Sequence, residues 1–297
     1  MTHVEFRGVI VPLTTPFTPD EEIDRASFAR QIEWMLAEGV NGFVVGGSTG
    51  EGYALDEGEM LELSKLALDA VAGRVPVMAS IMVDSTRAAV RRARQLAELP
   101  LSGLQIAPPH YIFTPNDDGL FAFYQAVGVA SPLPLVLYNV ISWANVRPEI
   151  AARILDGVPT AYGVKQSDKD LGRFADLVLA VGPERVFGAI DGSLMSCYDL
   201  GVAGSIAAIA SATPRASVAL WQAVQQGDRE RALSLNAALG RLWQQLSASN
   251  LPARVKAAQT AQGIAAGRPR APMSALTATE EAALTSALKD LERVTNR

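Results

Sequence analysis

The sequence predicts an α/β fold, a (β/α)8 TIM barrel with a C-terminal helical appendage. Short runs rich in β-branched and apolar residues alternate with helical patterns at a spacing of roughly 25 residues. The runs are apolar on both faces, as parallel strands are when a ring of helices covers them. No linker divides this part of the chain, so a single barrel accounts for it.

Eight candidate strands follow one another, each bounded by Gly, Pro or polar residues. They are GVIVPL from residue 8, GFVVGG from 42, VPVMASIM from 75, GLQIAP from 103, PLVLYN from 134, TAYGVK from 160, RVFGAI from 185 and AGSIAAI from 203. Helix signals stand between the strands. Asp24 precedes Phe28 and Ile32 at helical spacing, and Asp56 forms a capping box with Glu59.

The pattern becomes purely helical beyond about residue 226. A last helix is predicted from Thr277, where Glu280 completes a capping box. We therefore expect residues 1–226 to form the barrel and residues 227–297 to form a helical segment packed on it.

Composition narrows the possible partners. The 297 residues are 49% hydrophobic and 19% charged, enough to bury a large core. A formal charge of -5 and a pI near 5.2 predict no binding to nucleic acid or to an anionic membrane, since both require a basic face. No apolar run reaches the ~18 residues of a membrane span, and the N-terminus does not resemble a secretory signal. We expect a cytoplasmic protein that acts on a small molecule.

Residues suited to metal binding or disulfide formation are scarce. His3 and His110 are the only histidines, which leaves little material for a histidine metal site or a Ser-His-Asp triad. Cys197, the single cysteine, allows no internal disulfide and is predicted on a buried helix face. We expect no metal and no cofactor, with carboxylate-bound magnesium as the alternative.

The stretch VVGGSTGEG, residues 44–52, resembles a phosphate-binding loop at first sight. A P-loop requires a lysine after its second glycine, and Glu51 follows Gly50 here. A dinucleotide fingerprint requires glycine at its third position, where Ser48 stands. Both nucleotide interpretations therefore fail.

A TIM barrel places its chemistry at the carboxyl ends of the strands, so the residues just after each run are the candidates. They are Ser48 and Thr49 after strand 2, His110 and Tyr111 after strand 4, Tyr138 at the end of strand 5, Lys165 at the end of strand 6 and Asp191 after strand 7. Lysines are rare, and the remaining four lie in helical or polar segments and are predicted to be solvated: Lys65, Lys169, Lys256 and Lys289.

Lys165 instead ends the apolar run AYGV. Desolvation favours the neutral amine, which can attack a carbonyl and form a Schiff base. The alternative is a lysine that reaches solvent from a strand end. Tyr138, one strand earlier, is expected to lie beside the amine and to transfer protons, with Thr49 next in the relay. The alternative for Tyr138 is a tyrosine that only packs in the core, and the alternative for Thr49 is a residue that only forms the turn.

Several motifs taken together are specific. GGSTGE after strand 2, YNV at strand 5 and GVKQS at strand 6 resemble the dihydrodipicolinate synthase and N-acetylneuraminate lyase family of pyruvate-dependent class I aldolases. VPLTTPF and LPARVKAAQ are similar as well, so the resemblance covers most of the chain. It implies that Lys165 forms the Schiff base with pyruvate and that Tyr138 donates and accepts protons. It also implies that Thr49 links this tyrosine to Tyr111 of a neighbouring subunit.

The resemblance suggests which anion the GGSTGE loop binds. The N–H groups and hydroxyls of Ser48 and Thr49 are expected to hold the carboxylate of pyruvate as a small anion nest. Glu51 is then expected to point away and to hold the loop. Ile206 resembles a strand 8 position whose backbone lines the pocket, and Asp191 is expected to contact substrate as well.

The chain differs from both kinds of enzyme in this family at positions expected to bind the second substrate, the aldehyde. Dihydrodipicolinate synthases carry an arginine five residues after the strand 5 tyrosine, where this chain has Trp143. Trp143 is expected to bind a less charged aldehyde, aromatic or alkyl. Arg147 could reach the rim, but NVRPE is more typical of a solvated helix start. Sialic acid lyases carry an acidic residue directly after the strand 7 aspartate, where it binds sugar hydroxyls. This chain has Gly192 after Asp191, so the expected contacts to a sugar acid are incomplete.

The predicted function is a Schiff-base-forming lyase or aldolase that makes or breaks a C–C bond between pyruvate, or another 2-oxo acid, and an aldehyde. One alternative is a 2-keto-3-deoxy sugar acid dehydratase or aldolase, and another is a non-catalytic sugar-acid-binding barrel. If Tyr111 completes a neighbour's relay, the protein is a homotetramer built as a dimer of dimers.

Overall fold

Eight parallel strands close into a barrel in the computed structural model, which describes residues 5–296. The strands are β1 (Gly8–Pro12), β2 (Gly42–Val45), β3 (Val77–Ile81), β4 (Gly103–Ile106), β5 (Leu135–Asn139), β6 (Ala161–Gln166), β7 (Val186–Gly188) and β8 (Gly204–Ile206). They pair in chain order, and β8 closes the sheet on β1, where Ile206 lies opposite Ile10. The predicted TIM barrel is confirmed, while His3 lies outside the described residues.

Helices connect successive strands and continue after β8. They are α1 (Arg25–Ala37), α2 (Glu57–Val71), α3 (Thr86–Leu96), α4 (Asp117–Ala130), α5 (Pro148–Gly157), α6 (Leu171–Val181), α7 (Leu194–Asp199), α8 (Ala208–Ala212), α9 (Pro214–Gln225), α10 (Arg229–Leu246), α11 (Leu251–Ala261) and α12 (Ala278–Thr295). Two single 3-10 turns, Ser48–Gly50 and Gly52–Ala54, follow β2.

Local sequence signals begin three of these helices as predicted. Asp24 caps α1 with its side chain. Asp56 and Glu59 form the capping box of α2, and Thr277 and Glu280 form that of α12. A cap of this kind stabilises a helix by about 1 kcal/mol because it satisfies N–H groups that have no partner inside the helix.

The apolar core has two layers. The larger layer lies between the barrel and its helices, and Cys197 is buried there on α7, as predicted. The smaller layer fills the barrel interior with Phe6, Ile10, Val44, Met78, Val136, Phe187, Ala203 and Ile206. The barrel is therefore solid near its middle, and the polar side chains that bear on function gather at the carboxyl ends of its strands.

The C-terminal helices cover one side of the barrel. Helix α10 packs on α9 and α12, while α11 contacts both α8 and the turn Ser48–Gly50. The helical appendage is confirmed, and it reaches the mouth of the barrel. The boundary at residue 226 stays a prediction. Within residues 5–296, no helix is long and apolar enough to cross a membrane.

Candidate active site

Lys165 and Tyr138 lie side by side at the mouth of the barrel. They are register partners on β6 and β5, and both are buried, with 5% of Lys165 exposed. Lys165 Nζ lies 4.3 Å from the centroid of the Tyr138 ring. Adjacent parallel strands in register bring equivalent positions together, which explains why residues from separate motifs meet here. The amine is thus held against an aromatic face and sheltered from bulk water.

Ser48 is the residue that contacts the Tyr138 hydroxyl. The hydroxyl donates a hydrogen bond to Ser48 Oγ at 3.0 Å and accepts one from the Ser48 N–H at 3.2 Å. The expected link through Thr49 is therefore corrected. Successive side chains of a 3-10 turn point about 120° apart, so adjacent hydroxyls cannot both face the same partner. Thr49 is buried next to Ser48 without a hydrogen bond to Tyr138.

Close backbone contacts require glycine at two positions around this turn. A Cβ atom on Gly50 would lie 2.4 Å from Leu13 O, and one on Gly52 would lie 1.8 Å from Gly46 O. These two glycines allow the chain to pack on its own backbone. A Cβ on Gly47 would instead meet only side-chain atoms at 3.5 Å or more, and one of them is the Tyr138 hydroxyl. A Cβ atom at Gly47 would therefore fit, and it would lie beside the Tyr138 hydroxyl.

Glu51 points away from the mouth, as expected, and is buried. Its Oε1 atom is 2.6 Å from Nζ of Lys256, and each side chain is 1% exposed. The prediction that Lys256 is solvated is therefore wrong. The helical context of Lys256 in α11 could not reveal this burial, because the partner lies 205 residues earlier in the chain.

Asp191 follows β7 and is partly buried near Lys165. Its Oδ1 atom accepts a hydrogen bond from the Ile209 N–H at 2.9 Å, at the start of α8. Burial raises the pKa of the Asp191 carboxyl to about 6, although the Ile209 N–H and the Lys165 charge both act to lower it. Ile206 is buried on β8 in the barrel interior. Within residues 5–296, no cluster of three or more His, Cys, Asp or Glu side chains could hold a metal ion.

The rim of the mouth is built from three loops, after β3, β4 and β5, which hydrogen bonds join together. Asp84 Oδ1 accepts hydrogen bonds from the N–H groups of His110 and Tyr111, at 2.6 and 2.8 Å. Trp143 donates its indole N–H to His110 O at 2.7 Å. Tyr111 and Trp143 are each 68% exposed. Within the described chain, no hydrogen bond joins the Tyr111 side chain to Ser48 or Tyr138.

Sequence reasoning missed a polar pair inside the barrel. Gln105 Nε2 donates to Ser80 Oγ at 3.0 Å, and both residues are buried on neighbouring strands β4 and β3. The signal was present in the sequence, because each residue is a polar position within an otherwise apolar run. Both side chains also lie within 4 Å of the space beside Gly47, on the side of the Tyr138 hydroxyl.

Comparison with known proteins identifies the family of this chain. The model of the dihydrodipicolinate synthetase family matches residues 5–291. The chain belongs to this family. Its members are lyases or synthases of the Schiff-base class that use pyruvate.

Individual relatives cover almost the whole chain. The 4-hydroxy-tetrahydrodipicolinate synthase of Thermomicrobium roseum is 33% identical over 285 residues, which span 95% of this chain and 93% of that protein. The structure of dihydrodipicolinate synthase from Thermotoga maritima matches with a TM-score of 0.92 and 28% identity, covering 97% of this chain and 99% of that one. A monomeric dihydrodipicolinate synthase variant matches with a TM-score of 0.92 and 28% identity, covering 97% of each chain.

Two rim positions considered above are residues 143 and 147. Trp143 occupies one of them. Arg147 caps α5 with its backbone, and its guanidinium pairs with Asp117 at 2.6 Å. A Cβ atom on Gly192 would lie 3.0 Å from Trp243 of α10, so the C-terminal helices leave little room for a side chain there.

Proposed function

We propose that this protein is a class I lyase or aldolase that makes or breaks a C–C bond between pyruvate, or another 2-oxo acid, and an aldehyde. The observation that carries the proposal is the buried Lys165 amine beside Tyr138, whose hydroxyl is bonded to Ser48. Family membership supports the Schiff-base chemistry. The mouth therefore provides a nucleophile and a path for protons in one place.

In the joining direction, the Lys165 amine attacks the ketone carbon of pyruvate, and the carbinolamine loses water to give an imine. Loss of a proton from the methyl carbon gives the enamine. This carbon attacks the aldehyde carbon, and the aldehyde oxygen takes up a proton. Hydrolysis of the imine releases the product and restores the amine. Tyr138 moves the protons, and Ser48 holds its hydroxyl in place.

The turn Ser48–Gly50 binds the carboxylate of the 2-oxo acid in this proposal. The Ser48 N–H donates to the Tyr138 hydroxyl and the Gly50 N–H to Gly47 O, so the proposed donors to the carboxylate are the Thr49 N–H and the Ser48 and Thr49 hydroxyls. Trp143 lines the acceptor site, and an uncharged aldehyde is the favoured partner. This preference is supported by the pairing of Arg147 with Asp117, which leaves that guanidinium engaged elsewhere.

The test is reduction with borohydride in the presence of pyruvate, followed by mass spectrometry of the digested protein. The expected result is one reduced pyruvate adduct, located on Lys165 and absent from Lys165→Met. Lys169→Met is the matched control, because Lys169 is exposed and only four residues away. An adduct on another lysine, or none in the wild-type protein, would contradict the proposal.

A dehydratase acting on a 2-keto-3-deoxy sugar acid is the second candidate. Asp191 favours it, because a carboxyl with a pKa of about 6 close to Lys165 is suited to protonate a leaving hydroxyl near neutral pH. Product analysis separates the two reactions, since the aldolase releases pyruvate and the dehydratase keeps all carbons in one product. Turnover in either assay rules out a non-catalytic binding barrel.

The proposed assembly is a homotetramer in which Tyr111 completes the relay of a neighbouring subunit. The exposure of Tyr111 is consistent with such a contact. One similar solved structure is a monomeric synthase variant, so family membership does not decide the oligomeric state. Light scattering combined with activity measurement tests this part of the proposal.

A further inference from the structure

A buried ion pair joins the C-terminal helices to the loop at the mouth of the barrel. Lys256 Nζ donates to Glu51 Oε1 at 2.6 Å, and both side chains are 1% exposed. The second carboxylate oxygen, Oε2, accepts from the Arg270 N–H at 2.9 Å, and Nζ also donates to Arg268 O at 2.9 Å. The charged atoms are thus hydrogen-bonded on both sides of the pair. The aromatic ring of Phe17 lies 4.5 Å from Nζ.

Glu51 occupies a strained position directly after the turn Ser48–Gly50. Its φ of 56° lies in the left-handed region, which costs a residue with a Cβ atom of order 1 kcal/mol. Its N–H donates to Ser48 O at 3.1 Å, and its carbonyl accepts from the Ala54 N–H at 2.8 Å. Glu51 therefore closes the turn that contains Ser48. Any rotation of its backbone moves the Ser48 carbonyl and the N–H groups beside it.

The pair is not explained by fold stability alone. Removing two charges from water carries a desolvation penalty that often exceeds their attraction, and apolar residues of similar size commonly serve as well. The penalty is evident at Lys256, because burial lowers the pKa of its amine even though Glu51 opposes the shift. A hydrogen-bonded ion pair nevertheless fixes the relative orientation of its two side chains, which an apolar contact does not.

We propose that Lys256, through Glu51, positions the turn Ser48–Gly50 so that its donors meet the carboxylate of the 2-oxo acid. The C-terminal helical segment is thereby part of substrate binding, since α11 sets the geometry of the mouth. Lys256 is a positioning residue, because it lies behind the turn and touches no reacting atom. The inference rests on the proposed function for the identity of the bound carboxylate.

The experiment compares Lys256→Met with Arg254→Met in the full-length protein. Arg254 lies on the same helix and pairs with Glu280 at the start of α12, so it links α11 to the scaffold without touching the mouth. We expect Lys256→Met to raise the KM for pyruvate at least tenfold, and Arg254→Met to change it less than threefold. Hydrogen exchange of residues 46–52 should become faster only in Lys256→Met.

The double variant Glu51→Gln/Lys256→Met distinguishes positioning from stability. It removes both charges, so no unpaired carboxylate is buried and the melting temperature should recover relative to Lys256→Met. The raised KM should remain, because the directional contact is still missing. A wild-type KM in a folded double variant would overturn the inference.

Borohydride trapping keeps the two hypotheses separate. At saturating pyruvate, Lys256→Met should still be labelled on Lys165, because the amine itself is unaffected. Failure of the wild-type protein to trap pyruvate would overturn the proposed function. Normal trapping by the wild-type protein, together with an unchanged KM and unchanged exchange in the variants, would overturn only the positioning role.

Discussion

Replacing Ser48 by alanine should slow turnover while the fold persists, and it should also raise the KM for pyruvate, because the Ser48 hydroxyl is a proposed donor to the carboxylate. The substitution removes Ser48 Oγ, which accepts a hydrogen bond from the Tyr138 hydroxyl at 3.0 Å. The Ser48 N–H, at 3.2 Å from the same hydroxyl, stays in place and continues to orient the tyrosine. The experiment therefore isolates one hydroxyl within the relay.

The size of the effect can be bounded from this geometry. Loss of one neutral hydrogen bond of about 0.5–1.5 kcal/mol corresponds to a factor of about 2–13 in rate. Loss of positioned proton transfer altogether corresponds to about 10²–10⁴. Because the N–H keeps Tyr138 oriented while the proton path is interrupted, we expect kcat to fall about 10- to 100-fold.

The assay is steady-state kinetics of pyruvate with one aldehyde, measured for Ser48→Ala and Thr49→Val. Thr49→Val keeps the side-chain shape and removes a hydroxyl proposed to bind the carboxylate, so it should raise KM with little change in kcat. Melting temperatures within a few degrees of the wild-type value serve as the control for folding. A larger fall of kcat in Thr49→Val than in Ser48→Ala would refute the assignment of the relay to Ser48.

Other perturbations test further parts of the site. Tyr138→Phe should keep pyruvate affinity and lower turnover by roughly 10²–10⁴, whereas an unchanged rate would make Tyr138 a packing residue only. The folded protein holds the Asp191 proton up to a pH of about 6, whereas the unfolded chain releases it near 4. The wild-type protein should therefore lose stability relative to Asp191→Asn as the pH rises from 4 to 6. Stability curves that run parallel for the two proteins over this pH range would contradict the raised pKa. The kcat/KM for aspartate semialdehyde should be at least ten times lower than that for the best uncharged aldehyde, because Trp143 offers no charge to a carboxylate. A higher kcat/KM for the semialdehyde would mean that a cationic residue elsewhere binds its carboxylate. Tyr111→Phe should lower activity in an oligomer, and a fully active wild-type monomer by light scattering would contradict the shared relay.

The sequence by itself determined the architecture of this protein. Strand runs, helix periodicity and capping boxes such as Asp56 with Glu59 are local patterns, and each acts within a few residues of its own position. The order of those elements led to the barrel, and the barrel placed the strand ends together. For this reason two short motifs were enough to predict that Lys165 and Tyr138 lie close together, since parallel neighbours in register meet.

Only the tertiary structure decided which atoms meet. Ser48 and Thr49 are adjacent hydroxyls with similar chemistry, and the orientation of one 3-10 turn selects Ser48 as the partner of a tyrosine 90 residues away. Lys256 has a helical context like that of a solvated lysine, yet it is buried because Glu51, 205 residues earlier, lies opposite it. Arg147 is engaged by Asp117 from another helix. Periodicity and capping are set by neighbours along the chain, whereas burial, pairing and side-chain direction depend on residues that only folding brings into contact.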